Sequence, residues 1–185
     1  VTAAYGVATS FLLGYKKKDL NFICESLLRT RPTAINLFWA LEQMKKFLLS
    51  VKEKDIVESA FQKADEILKS DVVSNKKIGE YGYDVILQIL KKKQSKKINI
   101  LTHCNAGWLA TVDRGTATAP IYEAHEQGIP IEVWVDETRP RNQGAALTTW
   151  ELLHNGVPHS LIVDNAGGHL MQHGLVDICI VGTDR

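Results

Sequence analysis

Apolar positions along the first half of the chain recur at intervals of three and four. From Thr33 onward Ala34, Leu37, Phe38, Leu41, Met44 and Leu48 share one side of a 3.6-residue turn, with Pro32-Thr33 as a start signal, which predicts a helix over 33–48. The same spacing predicts helices over about 3–15, 19–29, 55–69 and 75–92. Trp39, Phe38 and Met44 fit a helix-packing stripe better than the lining of a cofactor pocket. After Lys97 the period changes. Short β-branched runs at Ile98–Thr102, Ile131–Val135, Ser160–Val163 and Ile178–Val181 alternate with helical stretches near 116–127, 145–154 and 165–173, which stop at Gly128, Asn155 and Gly174. Strands separated by single helices of that size predict parallel βαβ units with right-handed crossovers. Their near-continuous apolar character suits strands covered on both faces. The predicted class is α/β, a helical N-terminal region over 1–97 followed by a parallel βαβ domain over 98–185.

Charge sharpens that division. The net charge of +1 conceals 18 Lys and Arg against 11 Asp and Glu in residues 1–97, and 4 against 10 in residues 98–185, where there is no lysine but all six histidines. The tracts Lys16-Lys17-Lys18 and Lys91-Lys92-Lys93-Gln94-Ser95-Lys96-Lys97 lack interleaved aromatics and fall where helices should end, a place where lysines suit the helix dipole. They are read as solvated helix ends, and no nucleic-acid partner is expected. With 185 residues, 45% of them hydrophobic, the chain has enough apolar material for a buried core. No apolar run approaches the ~20 residues that cross a bilayer, so the expectation is a soluble, cytoplasmic protein without a membrane partner. Cys24, Cys104 and Cys179 are irregularly spaced and form no pair of the zinc or redox type, so neither a disulfide framework nor a metal site is expected.

The polar residues gain meaning from the predicted topology. In a doubly wound sheet ligands bind beyond the carboxyl ends of the strands. His103-Cys104-Asn105 follows the first strand, Asp136-Glu137-Thr138-Arg139 the second, Asp164-Asn165 the third and Asp184-Arg185 the fourth, so all four clusters belong to one edge. Helix capping and turn chemistry explain any one of them equally well. Asn105-Ala106-Gly107 offers a single glycine and no P-loop lysine, so neither NAD nor ATP is supported. A thiol, carboxylates, amides and a few arginines remain, a set suited to proton transfer on a small polar or phosphorylated ligand. Cys104 sits in KINILTHCNAGWLAT, at the mouth of a strand and just before an expected helix, within reach of backbone donors. Taken alone it also fits a buried structural cysteine, since free cysteine is among the most buried residue types.

Longer motifs narrow the choice. Arg-Pro-Thr-Ala-Ile-Asn-Leu-Phe-Trp-Ala-Leu-Glu (31–42), Thr-His-Cys-Asn-Ala-Gly (102–107), Asp-Glu-Thr-Arg-Pro-Arg-Asn-Gln-Gly-Ala (136–145) and Val-Gly-Thr-Asp-Arg (181–185) resemble the methylthioribose-1-phosphate isomerase family, in order and across nearly the whole chain. The resemblance implies an aldose–ketose isomerase of methionine salvage that converts 5-methylthioribose 1-phosphate to 5-methylthioribulose 1-phosphate. It implies a helical N-terminal part followed by a Rossmann-like domain, no metal or nucleotide cofactor, and a homodimer. By the match, Cys104 and Asp184 are the catalytic pair, Arg31 and Gln143 contact phosphate, and Asn105, Ala106, Asp164 and Asn165 line the sugar site.

The family's Arg-Gly-Ala-Pro phosphate loop would stand just before Val1, and its Asn-Lys pair and later strands just after Arg185. The expectation is therefore one piece of a longer protein, with a Rossmann-like domain incomplete at its C-terminal side and doubtful activity by itself. Asn165-Ala166-Gly167-Gly168-His169 is richer in glycine than the family form, which leaves the exact sugar phosphate open. Two other readings remain: an isomerase of ribose 1,5-bisphosphate or 5-deoxyribose 1-phosphate, and a non-catalytic regulatory subunit of the guanine-nucleotide exchange factor of translation initiation. The second has no need of the Cys104 and Asp184 pair.

Overall fold

The computed structural model describes residues 1–93 and 97–183. Four helices come first: α1 (Thr2–Leu12), α2 (Leu20–Leu28), α3 (Ile35–Leu48) and α4 (Ile56–Lys92). Strands and helices then alternate as β1 (Ile98–Thr102), α5 (Ala119–Glu126), β2 (Ile131–Asp136), α6 (Thr149–His154), β3 (His159–Ile162), α7 (Ala166–Gln172) and β4 (Ile178–Cys179). A π-helical turn over Gly144–Thr148 leads directly into α6. The architecture is the expected α/β one. Asp184, Arg185 and the Gln94–Lys96 part of the second lysine tract lie outside the described residues.

The one element the periodicity divides wrongly is α4, which is continuous where two helices over 55–69 and 75–92 are predicted. The intervening Ser70-Asp71-Val72-Val73-Ser74-Asn75 contains neither glycine nor proline. Its residues cost only tenths of a kcal/mol each in a helix, about 0.7 at most. Two extra helix ends would instead leave backbone groups unpaired.

The chain forms two compact units, one built on Val1–Asp71 and the other on Val72–Gly182. That division falls inside α4, whereas the change of composition at Lys97 marks where helix gives way to strand. In the first unit Val7, Phe11, Met44, Leu48, Ala60 and Ile67 join one apolar cluster. Lys17 Nζ donates to the carbonyls of Leu49 and Val51 at 2.7 and 2.6 Å, satisfying acceptors just past the end of α3.

In the second unit all the strands are parallel, in the order β3-β2-β1-β4. Ile98 pairs with Ile131 and Thr102 with Val135, so β1 and β2 end level. Ile98, Ile100, Ile121, Val133, Val135 and Leu152 are fully buried with Ile86 of α4. Each such side chain contributes about 1.5–3 kcal/mol by leaving water. Coverage on both faces holds for the two central strands only. On the β3 edge Leu161 and the following Val163 are more than half exposed, at 52% and 54%. The short β4 is continued by one further ladder bond from Ile180 N–H to the Leu101 carbonyl. Lys93 pairs with Asp177 at 2.6 Å and Lys97 with Glu132 at 3.1 Å, so these lysines bind the domain's own carboxylates. Among the described residues no helix is long and apolar enough to cross a membrane.

Candidate active site

Parallel pairing puts the carboxyl ends of β1, β2 and β3 along one edge, and the polar clusters that follow them are joined there by hydrogen bonds. Three of the four clusters predicted to share this edge lie among the described residues. The fourth includes Asp184, which does not.

Cys104 is half-buried and adopts φ +62°, a left-handed backbone that side-chain-bearing residues seldom take. Thr138 on the neighbouring loop does the same at φ +63°, which is rarer still for a β-branched residue. The two are tied together: Cys104 N–H donates to Thr138 Oγ1 at 2.7 Å. The expected helix does not follow Cys104 closely. A 3₁₀ turn spans Trp108–Ala110 and α5 starts only at Ala119, so the peptide groups of Cys104 are met by threonine hydroxyls rather than by a helix end. Cys24 lies in the core of the first unit and Cys179 on β4.

The loop after Cys104 is organised by Glu151, which is fully buried on α6. Its Oε1 accepts from Asn105 Nδ2 and Leu109 N–H, both at 2.9 Å, and its Oε2 from Trp108 N–H at 3.1 Å and Tyr122 Oη at 2.9 Å. Four donors converge on two oxygens, an arrangement that suits the acceptor-only carboxylate. Burial, and then the Glu151 charge, pushes the Tyr122 hydroxyl well above its ordinary value and keeps it a donor. Gly107 is required beside this group, because a Cβ there would stand 1.8 Å from Glu151 Oε2. Sequence reasoning missed Glu151. The signal was a charged residue inside Thr-Thr-Trp-Glu-Leu-Leu (148–153), next to the core residue Leu152.

On the β2 side, a Cβ on Gly144 would meet the Asp136 carbonyl at 1.8 Å, so the π-helical turn can close on the strand end only with glycine there. π-Helical turns of this kind are frequent at functional sites. Thr148, the last residue of the turn, donates to the Cys104 carbonyl at 2.5 Å and accepts from Asn105 Nδ2 at 3.2 Å. The β3 end contributes Asp164, whose oxygens accept the N–H groups of Thr138 and Arg139, each at 2.7 Å. The Arg139 bond does most to hold the Asp164 carboxyl below its ordinary value; desolvation opposes it and the Thr138 bond adds to it.

His103 Nδ1 lies 2.9 Å from Asp136 Oδ2. With Asp164 these residues bring three possible ligand atoms within 4.8 Å of one another. His103 Nδ1, Asp136 Oδ2 and both Asp164 oxygens take part in hydrogen bonds, which tie the loops after the three strands to one another. Two buried acceptors in the same loops, Asp136 Oδ1 and Asn142 Oδ1, have no partner among the described residues.

Of the predicted site residues, Cys104, Asn105, Ala106, Gln143, Asp164 and Asn165 therefore all follow strand ends on one edge. Ala106 is held through its carbonyl, which accepts from Thr116 N–H at 3.0 Å and Thr118 N–H at 3.3 Å. Gln143 is half-buried immediately before the π-helical turn, and Asn165 is exposed immediately before α7. Arg31 belongs to the first unit, exposed in the turn before α3.

A family model of the Initiation factor 2 subunit family matches residues 4–185. The whole chain is 59% identical to a methylthioribose-1-phosphate isomerase of Brucella anthropi, of which it covers 51%. A solved 5-methylthioribose 1-phosphate isomerase of Pyrococcus horikoshii superposes with a TM-score of 0.78 at 38% identity, over 99% of this chain and 51% of that one. The delta subunit of translation initiation factor eIF-2B from A. fulgidus gives 0.76 at 39% identity, over 99% and 54%. The chain spans about half the length of the curated relatives it matches.

Proposed function

The chain belongs to the Initiation factor 2 subunit family, and we propose that within it the chain serves an aldose–ketose isomerase of methionine salvage, converting 5-methylthioribose 1-phosphate to 5-methylthioribulose 1-phosphate. One observation carries the reading. The thiol of Cys104 stands at the carboxyl end of a central parallel strand, on a left-handed backbone, among loops that hold unpaired buried acceptors. Strained backbone of this kind clusters at functional sites, and unpaired acceptors suit a hydroxyl-rich ligand.

The chemistry sets what the residues must do. Phosphate on the anomeric carbon prevents simple ring–chain exchange, so the ring must open with the phosphate attached. Asp184 donates a proton to the ring oxygen as the bond from that oxygen to C1 breaks. Cys104 takes the C2 proton, which gives an enol, and then returns a proton to C1 as the Asp184 carboxylate takes the C2 hydroxyl proton and the ketone forms. C1 is reduced as C2 is oxidised within one molecule, so the step calls for no external oxidant or reductant. Arg31 and Gln143 bind the phosphate. Asn105, Ala106, Asp164 and Asn165 line the sugar. Both amide hydrogens of Asn105 are engaged by Thr148 and Glu151, which leaves its carbonyl oxygen as an acceptor for a sugar hydroxyl. The reading extends to a cytoplasmic homodimer with no nucleic-acid or membrane partner.

The test is turnover of a panel of 1-phosphorylated pentoses, ribose 1,5-bisphosphate and 5-deoxyribose 1-phosphate included, by the complete gene product. Cys104→Ser and Asp184→Asn should each lower turnover of the methylthio sugar by roughly 10²- to 10⁴-fold. Near wild-type turnover in either variant removes the role assigned to that residue. Deuterium at C2 should exchange with solvent, and its complete retention in product would replace the proton transfer by a hydride shift. The 39% identical initiation-factor subunit favours a second reading, a regulatory binding module. Absence of turnover on every panel member would select it.

A further inference from the structure

We propose that Thr138 and Thr148 are the positioning residues of the Cys104 thiol, bracketing its left-handed backbone from both sides. This deepens the isomerase reading and rests on Cys104 being the reacting thiol. The φ of +62° at Cys104 is not a conformation that a cysteine at a strand end adopts unaided. What holds it is visible on both of its peptide groups. The N–H of Cys104 donates to Thr138 Oγ1 at 2.7 Å, and its carbonyl accepts from Thr148 Oγ1 at 2.5 Å.

Each hydroxyl has its direction fixed by a second bond. Thr138 gives its proton to the Asp136 carbonyl at 3.1 Å, so only its lone pairs face the Cys104 N–H. Thr148 accepts from Asn105 Nδ2 at 3.2 Å, so its proton is free to go to the Cys104 carbonyl. Both side chains are almost fully buried, at 7% and 1% exposed, where water cannot readily replace the bonds. Thr138 is itself anchored, its own N–H donating to Asp164 Oδ1 at 2.7 Å. Thr138 precedes the π-helical turn at Gly144–Thr148 and Thr148 ends it, so the turn helps to set the spacing of the bracket. Rotation about φ at Cys104 redirects Cβ and with it Sγ, and a misplacement of about 1 Å at a reacting atom can cost roughly 10²-fold in rate.

Thr138→Val and Thr148→Val remove the hydroxyls at nearly constant shape, while Thr138→Ser and Thr148→Ser keep them. In the complete gene product each Val variant should lower kcat by about 10- to 100-fold, with KM changed by less than about threefold. Each Ser variant should recover kcat to within about threefold of the parent. Iodoacetamide labelling of Cys104 at fixed pH, read by mass spectrometry of the Cys104 peptide, should change in rate in the Val variants and not in the Ser variants. If a Val variant does not fold, the matching Ala variant is read in its place. Parental kcat and labelling in the Val variants would overturn the bracket. So would equal losses in Val and Ser, which would point to methyl packing. Near wild-type turnover in Cys104→Ser removes the reacting role of the thiol instead, and leaves the labelling comparison to judge the bracket by itself.

Discussion

The two units use polar groups in opposite ways. In Val1–Asp71 every buried residue among those described is apolar or cysteine. In Val72–Gly182 the core also encloses Asn75, Thr102, Thr118, Asp136, Thr138, Thr148 and Glu151, and every left-handed non-glycine residue described, Cys104, Arg114, Thr138 and Asn142, lies there. Burial of apolar surface is non-directional, so the first unit tolerates exchanges that preserve volume. A buried hydrogen-bond network is directional, and loss of one member leaves its partners unsatisfied. The difference separates a helical scaffold from the unit that carries the candidate site.

The contrast is broken most severely at Glu151. Glu151→Ala strands four donors, two of them backbone N–H groups, by removing a fully buried acceptor. At about 1–3 kcal/mol per unsatisfied buried group, the expected loss of stability is on the order of 5 kcal/mol. Urea unfolding of the complete gene product measures it, and a loss below about 1 kcal/mol would mean that the loop finds other partners. In the first unit the matching experiment is Leu48→Ala, which empties a fully buried site in an apolar cluster. It should cost about 3 kcal/mol, with the depth set by how far neighbours collapse. Because it removes no directional bond, the rate of Cys104 labelling per folded molecule should stay at the parental value. A changed rate would show that the division of labour between the units is not real.

What could be read from the sequence follows the same line. Elements whose formation depends on local periodicity were legible: β1 has the predicted bounds, and α3 starts within two residues of its predicted start and ends at the predicted Leu48. The crevice was legible too, because parallel strands separated by helices oblige their carboxyl ends to share an edge, and three of the polar clusters follow those ends. The junction in α4 was not, since periodicity reports where an apolar stripe shifts and not whether the backbone breaks there. The supports of Cys104 were least legible. Thr138, Thr148 and Glu151 act across 34 to 46 residues of sequence on the Cys104–Leu109 loop, and no local pattern records such a pairing. Only the chemical oddity of a glutamate on the buried side of α6 pointed to one of them.

The smallest expected effect tests whether directional bonding in the second unit reaches out to half-buried Asp164. Its carboxyl accepts the Thr138 and Arg139 N–H groups and is held below its ordinary value of 3.8. A carboxyl whose folded-state value is depressed contributes stability that is fully present above its unfolded value. That contribution is lost as pH falls through the folded value. Between about pH 7 and the ordinary carboxylate range the contribution of Asp164 should therefore be constant, and it should fade only below about pH 4. Asp164→Asn cannot titrate and presents an N–H₂ to one of the two backbone donors. Its urea midpoint should lie slightly below the parent's at neutral pH, and the two curves should converge as the parent's carboxyl is protonated. Parallel curves down to about pH 3 would show that the Thr138–Arg139 turn is held by the rest of its network, with Asp164 free for the sugar.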